Sequence, residues 1–213
     1  MATNLWTDRE HALDYLRRAD TIPHRTEGEA VLLDLIPAGI IRFLDLGSGD
    51  GRLLRLVRTE HPAAKAVAID FSPTMLESLR GKFADDSLVT IVEHNLENRL
   101  PDRAPELGKF DAVVSSFAIH HLPNARKRTL YEEVYGLLAR GGVFYNLEHV
   151  SSPTPELHEV FLRHLEVRRN EEDTSNILLD VETQLRWLRE IGFADVDCHW
   201  KWLELALIGG MKR

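Results

Sequence analysis

The sequence predicts an α/β protein in which parallel strands alternate with helices. A short, mostly apolar run from Ile40 to Leu46 is followed by Gly47, Gly49 and Gly51 and then by a leucine-rich helical stretch. Four further apolar runs follow along the chain, with helical patterns between most of them. Short apolar runs of this kind are typical of strands buried on both faces, as in a parallel sheet covered by helices.

The three glycines after the first strand predict a tight turn that a ligand can approach closely. Glycine accepts positive φ and carries no Cβ to keep a ligand away from the backbone. The spacing is G-x-G-x-G, and Asp45 lies two residues before the first glycine. The dinucleotide fingerprint G-x-G-x-x-G fits neither register, because Arg52 or Leu54 would occupy its third glycine position.

The second strand, Lys65 to Asp70, ends in a carboxylate about 20 residues after the glycines, the offset expected of an acid that binds a ribose. Such a carboxylate can accept hydrogen bonds from both ribose hydroxyls. Ser72 and Pro73 follow at once and predict an N-cap and first helical residue.

Three more strands complete the parallel series. The third, Leu88 to Glu93, is followed by Asn95; the fourth runs from Phe110 to Ser116; and the fifth runs from Val143 to Leu147. The fourth strand continues into the block Phe117-Ala118-Ile119-His120-His121-Leu122-Pro123.

In this order, the glycine turn, Asp70 and the block after the fourth strand resemble the class I S-adenosylmethionine-dependent methyltransferases, whose motif I and motif IV they match. The resemblance implies a Rossmann-like, doubly wound sheet of seven strands, mostly parallel with one antiparallel strand. It covers residues 40 to 150 most specifically. The end of the chain is more distantly similar to a group of small bacterial methyltransferases related to carboxy-S-adenosylmethionine synthase.

We expect a single domain with four parts: an N-terminal helical cap (1–38), a cofactor-binding core (39–150), a helical insert after the fifth strand that acts as a substrate lid (151–180), and a C-terminal helix and β-hairpin (181–213). In the cap, apolar residues at helical spacing lie within 8–20, and Thr26 to Glu29 offers a capping box for a second helix. The lid helix is expected from Pro155 to Val167, and the hairpin strands at 194–200 and 202–208.

The resemblance implies S-adenosylmethionine as the cofactor. We expect Arg25 to form a bidentate pair with its methionine carboxylate, although a surface arginine is an equal alternative. Asn95 stands where the family commonly has an acid against the adenine amino group, and it can equally be a turn residue. The full set of expected cofactor-binding residues is Tyr15, Arg25, Asp45, Gly47, Ser48, Gly49, Asp70, Phe71, Met75, Asn95, Leu96, Ser116, Phe117 and His121.

Methyl transfer in this family is an in-line displacement, and an oxygen or nitrogen acceptor can require a base. His149 and His121 are the candidate bases because both follow strands at the carboxyl edge of the sheet, where such folds bind ligands. Glu148 is a third candidate. Each of them can instead be a hydrogen-bonding wall of the pocket.

Composition excludes several other classes of protein. The 213 residues are 44% hydrophobic and 28% charged, with a net charge of -8 that disfavours broad contact with nucleic acid. Cys198 is the single cysteine, and His158 lacks the second histidine of H-E-x-x-H, so we expect no metal site. With neither a spanning segment nor an apolar signal region, we expect a cytoplasmic monomer or homodimer that acts on a small-molecule acceptor and binds no membrane.

Two other functions remain open at this point. The protein can use the same cofactor differently, as in synthesis of carboxy-S-adenosylmethionine, which would require a cationic site such as Arg163, Arg168 or Arg169. It can also be a non-catalytic S-adenosylmethionine-binding protein, which the departure at Asn95 favours. The residues do not identify the acceptor.

Overall fold

A computed structural model describes residues 5–101 and 109–213, so 1–4 of the expected cap and 102–108 of the expected core lie outside the described residues. Seven strands form one sheet in the order β3-β2-β1-β4-β5-β7-β6. All neighbouring pairs are parallel except those that β7 makes with β5 and β6, so the predicted sheet is confirmed. The strands are β1 (Arg42–Leu46), β2 (Lys65–Asp70), β3 (Val89–Glu93), β4 (Phe110–Ser116), β5 (Leu138–His149), β6 (Ala194–Trp202) and β7 (Leu205–Met211).

Seven α-helices surround the sheet within the described ranges, and two apolar clusters fill its faces. One cluster packs side chains of α2, α3 and α4 against Phe43, and the other packs α5 and α7 against Leu44. Adjacent residues of β1 thus enter opposite layers, as expected of a strand covered on both faces. The helices are α1 (Arg9–Arg18), α2 (Arg25–Leu35), α3 (Arg52–Glu60), α4 (Pro73–Lys82), α5 (Asn124–Leu137), α6 (Pro155–Leu165) and α7 (Val181–Ile191).

The strand register determines where a ligand can bind. Leu46 at the end of β1 is level with Ile69 of β2 and Ser115 of β4. The turns that leave these three strands therefore meet at one edge of the sheet. In open α/β sheets this carboxyl edge is the ligand-binding edge.

Several predicted boundaries are wrong. Strand β5 begins at Leu138 and not at Val143, and helix α6 ends at Leu165 and not at Val167. Helix α2 begins at Arg25, after His24 at φ 59°, and not at a capping box beginning at Thr26. Strand β7 begins at Leu205 and not at Trp202, because Leu203 at φ 47° and Glu204 form the turn of the hairpin. The errors at α2 and β7 occur at non-glycine residues with positive φ, a conformation that sequence patterns indicate poorly.

Across residues 5–101 and 109–213, the structure contains no helix that combines the length and apolar character needed to cross a bilayer.

A Cβ at Gly47 would lie 2.2 Å from the Cβ of Ala118, whereas a Cβ at Gly39 would have no neighbour within 4 Å. Both glycines have positive φ, 66° and 75°. We expect Gly39→Ala to lower the free energy of unfolding by about 1 kcal/mol, from backbone strain alone. Gly47→Ala should lower it by about 3 kcal/mol or more, because the clash adds to the same strain. Urea denaturation measures both, and equal losses would contradict the close packing assigned to the turn.

Candidate functional site

A cavity of about 580 Å³ opens at the carboxyl ends of β1, β2 and β4, a size typical of small-molecule sites. The glycine turn after β1 forms its floor, and residues of the amino-terminal segment, among them Trp6 and Tyr15, form part of its cover. Ser175 and Ile177, from the loop before α7, close another side. The cap and the insert thus both contribute to the cavity.

Asp70 holds the glycine turn in place. Its Oδ2 accepts a hydrogen bond from the Gly49 amide at 2.8 Å, and its Oδ1 accepts bonds from the amides of Phe71 and Ser72 at 2.7 and 2.8 Å. A carboxylate has about four lone-pair positions, so these three bonds leave room for one more, on Oδ2. The geometry therefore accommodates one ribose hydroxyl, where the sequence alone suggested two.

Three side-chain oxygens around the cavity are buried without a hydrogen-bond partner in the described structure: Asp45 Oδ2, Ser72 Oγ and Ser116 Oγ. Burial, together with nearby Asp70, raises the pKa of the Asp45 carboxyl to about 7 against the opposing hydrogen bond of Ser48. Unsatisfied buried oxygens carry a free-energy cost that a polar ligand can remove. Their convergence on one cavity indicates a binding site.

The far end of the cavity combines apolar surface with one amide. Phe71, Met75 and Leu96 line it together with Asn95. The Asn95 Oδ1 accepts a hydrogen bond from the Glu97 amide at 2.9 Å, which is an Asx turn. Asn95 is thus the turn residue that the sequence allowed, and it still lines the cavity.

Arg25 lines the cavity, but most of its hydrogen-bonding capacity is engaged. It is 5% exposed; its Nε donates to Glu29 Oε1 at 2.9 Å, and its Nη1 donates to the carbonyl of Ala19 and to Tyr15 Oη, at 3.1 and 3.4 Å. Its guanidinium carbon lies 5.0 Å from the ring centre of Phe117. Only Nη2 has no partner among the described bonds, so the bidentate contact expected from the sequence is reduced to a single donor.

Glu29 also pairs with a second arginine that the sequence analysis did not identify. Arg52 donates from Nε and Nη2 to the two Glu29 oxygens at 2.7 and 2.8 Å and also pairs with Asp20. Glu29 is 2% exposed. Two arginines and two carboxylates thus form a neutral cluster that joins the cap to the first residue of α3.

His121 reaches the cavity with its tautomer determined by two partners. Ser175 Oγ lies 2.7 Å from Asp173 Oδ1 and 2.9 Å from His121 Nδ1. Burial opposes ionisation of Asp173, but the hydrogen bonds from Ser175 outweigh it and hold the Asp173 pKa below its usual value. The Ser175 hydroxyl therefore donates to the carboxylate and accepts from Nδ1–H, which leaves His121 Nε2 as a lone-pair acceptor.

Burial and the neighbouring His120 lower the pKa of His121 to about 3, so its ring is neutral at physiological pH. The adjacent His120 is buried, and its Nδ1 lies within hydrogen-bond distance of Glu148 Oε1, at 2.6 Å. The two adjacent histidines therefore have separate roles, and only His121 lines the cavity.

The structure places His149 and Glu148 away from the cavity lining. Glu148 is buried against His120 and Asn146, and His149 Nε2 lies 3.0 Å from Glu204 Oε2 in the β6–β7 turn. His158 of α6 also contacts Glu204, at 2.8 Å. Strand β7 lies beside β5, so the turn before β7 brings Glu204 next to His149 at the end of β5. Glu204 contacts both His149 and His158, and it thereby holds α6 against the sheet.

Several lining residues carried no sequence signal, notably Trp6, Ser175 and Ile177. Arg163, Arg168 and Arg169 are exposed and do not line the cavity. Within the described ranges, no group of three or more histidine, cysteine or acidic side chains is arranged to hold a metal. Cys198 is half-buried in β6.

Comparison with known proteins gives consistent matches. Residues 44–144 match the family model of a methyltransferase domain. The chain is 33% identical over 120 residues to a trans-aconitate 2-methyltransferase of Methylobacterium radiotolerans, covering 56% of this chain and 42% of the relative. It is 28% identical over 211 residues to a carboxy-S-adenosyl-L-methionine synthase of Klebsiella pneumoniae, covering 88% and 83%.

The structure is similar to an O-methyltransferase family protein from Burkholderia thailandensis, with a TM-score of 0.72 and 23% identity over 97% of this chain and 61% of the other. This likeness supports the fold. The chain spans 42% to 59% of the length of the first curated relatives it matches.

Asp45 should make stability depend on pH in an identifiable way. The pKa of Asp45 in the folded protein, about 7, lies above the usual 3.8, so protonation of Asp45 favours the folded state. This contribution to stability is fully present below pH 3.8 and is lost as the pH rises through 7. Asp45→Asn should therefore melt a few degrees above the parent at about pH 8, with the difference vanishing near pH 4. Thermal melts across pH measure this, with the exposed Asp34→Asn as the control. A constant difference would contradict the raised pKa.

Proposed function

We propose that this chain, whose residues 44–144 are a methyltransferase domain of the class I S-adenosylmethionine-dependent type, transfers a methyl group from S-adenosylmethionine to a small-molecule acceptor. The fold predicted from the sequence is confirmed by the seven-stranded sheet, and the family match and the carboxy-S-adenosyl-L-methionine synthase relative support the family and the cofactor. The observation that carries the proposal is the convergence of unpartnered buried oxygens on a cavity floored by the glycine turn.

The residues around the cavity fit S-adenosylmethionine. Asp45 Oδ2 is an acceptor suited to a cationic amino group, and Ser72 and Ser116 offer hydroxyls that lack partners in the described structure. The remaining acceptor position on Asp70 suits one ribose hydroxyl. Gly47 and Gly49 have positive φ and leave the floor of the cavity without side chains.

The other lining groups extend this assignment. Phe71, Met75 and Leu96 offer apolar surface for the adenine, with Asn95 beside them. Arg25 offers Nη2 to the methionine carboxylate, while Tyr15 supports its guanidinium through Nη1. Ser48 and Phe117 complete the wall between the turn and His121.

When bound, S-adenosylmethionine supplies a methyl group activated by its sulfonium, which an acceptor atom displaces in line. The chain's own contribution is to position the acceptor and exclude water. We assign this positioning to His121, whose Nε2 accepts a hydrogen bond from the acceptor's hydroxyl or amine. Burial and the neighbouring His120 keep the imidazole neutral, and Ser175, itself bonded to Asp173, orients it.

The catalytic role predicted for His149 and Glu148 is not part of this proposal, because neither lines the cavity. Use of a carboxylated cofactor, as in the name of the Klebsiella relative, would require a cation for the added carboxylate. Both arginines that line the described cavity are already paired with Glu29. Simple methyl transfer is therefore the favoured activity.

We also propose the four-part division into cap (1–38), core (39–150), lid (151–180) and C-terminal unit (181–213), and a cytoplasmic monomer or homodimer. Support for the division comes from the cavity, to which cap, core and lid all contribute residues. Acidic net charge supports a small-molecule acceptor over nucleic acid. Light scattering of the purified protein measures its oligomeric state.

Calorimetry with S-adenosylhomocysteine tests the cofactor assignment. Arg25→Ala should weaken binding about tenfold, because it removes a charged donor to the carboxylate. The same variant should bind methylthioadenosine, which lacks the amino-acid part, as the parent does. Arg17→Ala, exposed on α1, is the control. Equal weakening for both ligands would indicate that Arg25 acts only on the fold.

Transfer itself is tested by incubating the protein with S-adenosylmethionine labelled on the methyl group and an extract of small metabolites. We expect a labelled product and release of S-adenosylhomocysteine in equal amounts. Mass spectrometry of both identifies the acceptor. Binding of a nicotinamide dinucleotide in place of S-adenosylmethionine would overturn the proposed function.

The state of His121 can be read by ¹⁵N NMR. We expect a neutral imidazole protonated on Nδ1 from about pH 5 to about pH 8, because its pKa is lowered to about 3. Ser175→Ala should leave only the Ser175 main-chain carbonyl, 3.3 Å from Nδ1, to hold the tautomer, so we expect a partial shift to Nε2–H and a kcat lowered by up to about tenfold with the identified acceptor. His164→Asn, exposed on α6, is the control. A His121 signal that titrates near its usual pKa would contradict the assigned role.

A further inference from the structure

One side of the cavity is formed by an apolar and aromatic surface separate from the cofactor-binding turn. We call it the acceptor wall and define it by Leu5, Trp6, Leu122 and Ile177, with His121 at its centre. The Trp6 ring lies 5.0 Å from the His121 ring and 5.2 Å from that of Tyr15, both edge-on. The aromatic part of the wall is therefore continuous.

The charges around the cavity do not favour an anionic acceptor. Arg25 and Arg52 are the two arginines among the described lining residues; Glu29 pairs with both, and the remaining unpartnered nitrogen, Arg25 Nη2, is assigned to the methionine carboxylate of the cofactor. The lining has no lysine, and its acids are Asp45, Asp50, Asp70 and Glu97. An acceptor carboxylate would thus lose its hydration without gaining an unpaired cation, which costs free energy.

His121 also favours an uncharged acceptor that carries a hydrogen-bond donor. Its ring is neutral, and its Nδ1 is engaged by Ser175, so it presents a hydrogen-bond acceptor and no positive charge. An acceptor molecule must therefore bring its own donor, such as a hydroxyl. Flat apolar rings bury large areas against aromatic side chains at low entropic cost.

We propose that the methyl acceptor is a small, uncharged aromatic molecule bearing a hydroxyl, held with its ring against Trp6 and Ile177 and its hydroxyl on His121. This inference rests on the proposed function and adds the chemical class of its substrate. Polycarboxylates and acidic sugars are excluded as acceptors by the paired state of Arg25 and Arg52.

A matched pair of probes tests the class. Protein loaded with S-adenosylhomocysteine is titrated with 2-naphthol and with 6-hydroxy-2-naphthoate, which differ by one carboxylate, and with citrate. We expect 2-naphthol to bind at least about tenfold more tightly than the naphthoate. Citrate should not displace 2-naphthol. Trp6→Ala should weaken 2-naphthol about fivefold or more, with Leu157→Ala, exposed on the lid helix, as the control.

A cation added to the acceptor wall should offset the preference for 2-naphthol over 6-hydroxy-2-naphthoate. Ile177 is 39% exposed, and its main chain is held by the His120 carbonyl and by Lys127, so an arginine can replace it without loss of these bonds. Ile177→Arg should raise the affinity for 6-hydroxy-2-naphthoate about tenfold. Ile41→Arg, on an exposed residue at the opposite edge of the sheet, should leave it unchanged.

The outcomes separate this inference from the proposed function. If S-adenosylhomocysteine binds and the naphthoate or citrate binds as well as 2-naphthol, the acceptor class is wrong and the methyltransferase assignment stands. Failure of the loaded protein to bind 2-naphthol also overturns the inference. If S-adenosylhomocysteine itself does not bind, the proposed function fails first.

Discussion

The three hydrogen bonds that backbone amides donate to Asp70 are the constraint on which the cofactor side of the cavity depends. They join the turn after β1 to the turn after β2, so the positions of Gly49, Phe71 and Ser72 are set together. Burial raises the pKa of Asp70 while these bonds oppose the rise. The same carboxylate therefore shapes the cradle and retains one acceptor position for a ligand.

A second constraint acts on the cap. Glu29 compensates Arg25 and Arg52 in a buried cluster, and truncating one partner of such a cluster would leave a charge uncompensated at a cost of several kcal/mol. The cluster fixes the start of α2 against the start of α3. Its neutrality also determines the electrostatics of the cavity, since it leaves no unpaired arginine on the described lining. The architecture and the proposed substrate selection thus depend on the same ion pairs.

The success of sequence-based prediction varied with how local each signal was. The glycine turn, Asp70 and Ser116 were located correctly in the fold because each lies within a few residues of the strand that positions it. Asn95 could be assigned only as a turn residue or a ligand, and the bond to Glu97 shows the turn. His149 was expected at the cavity because it ends β5, but Glu204 of a distant turn binds it instead.

By itself the sequence determined the fold class and the order of the core elements, because hydrophobic periodicity and glycine spacing encode local backbone conformation. Only the tertiary structure decided which side chains share the cavity. Trp6, His121 and Ser175 come from segments far apart in the chain, and their contacts depend on how the cap and the insert fold over the sheet edge. The hydrogen-bonding capacity left on Arg25 was likewise decided by packing, since its bonds to Glu29, Ala19 and Tyr15 leave only Nη2 without a partner among the described bonds.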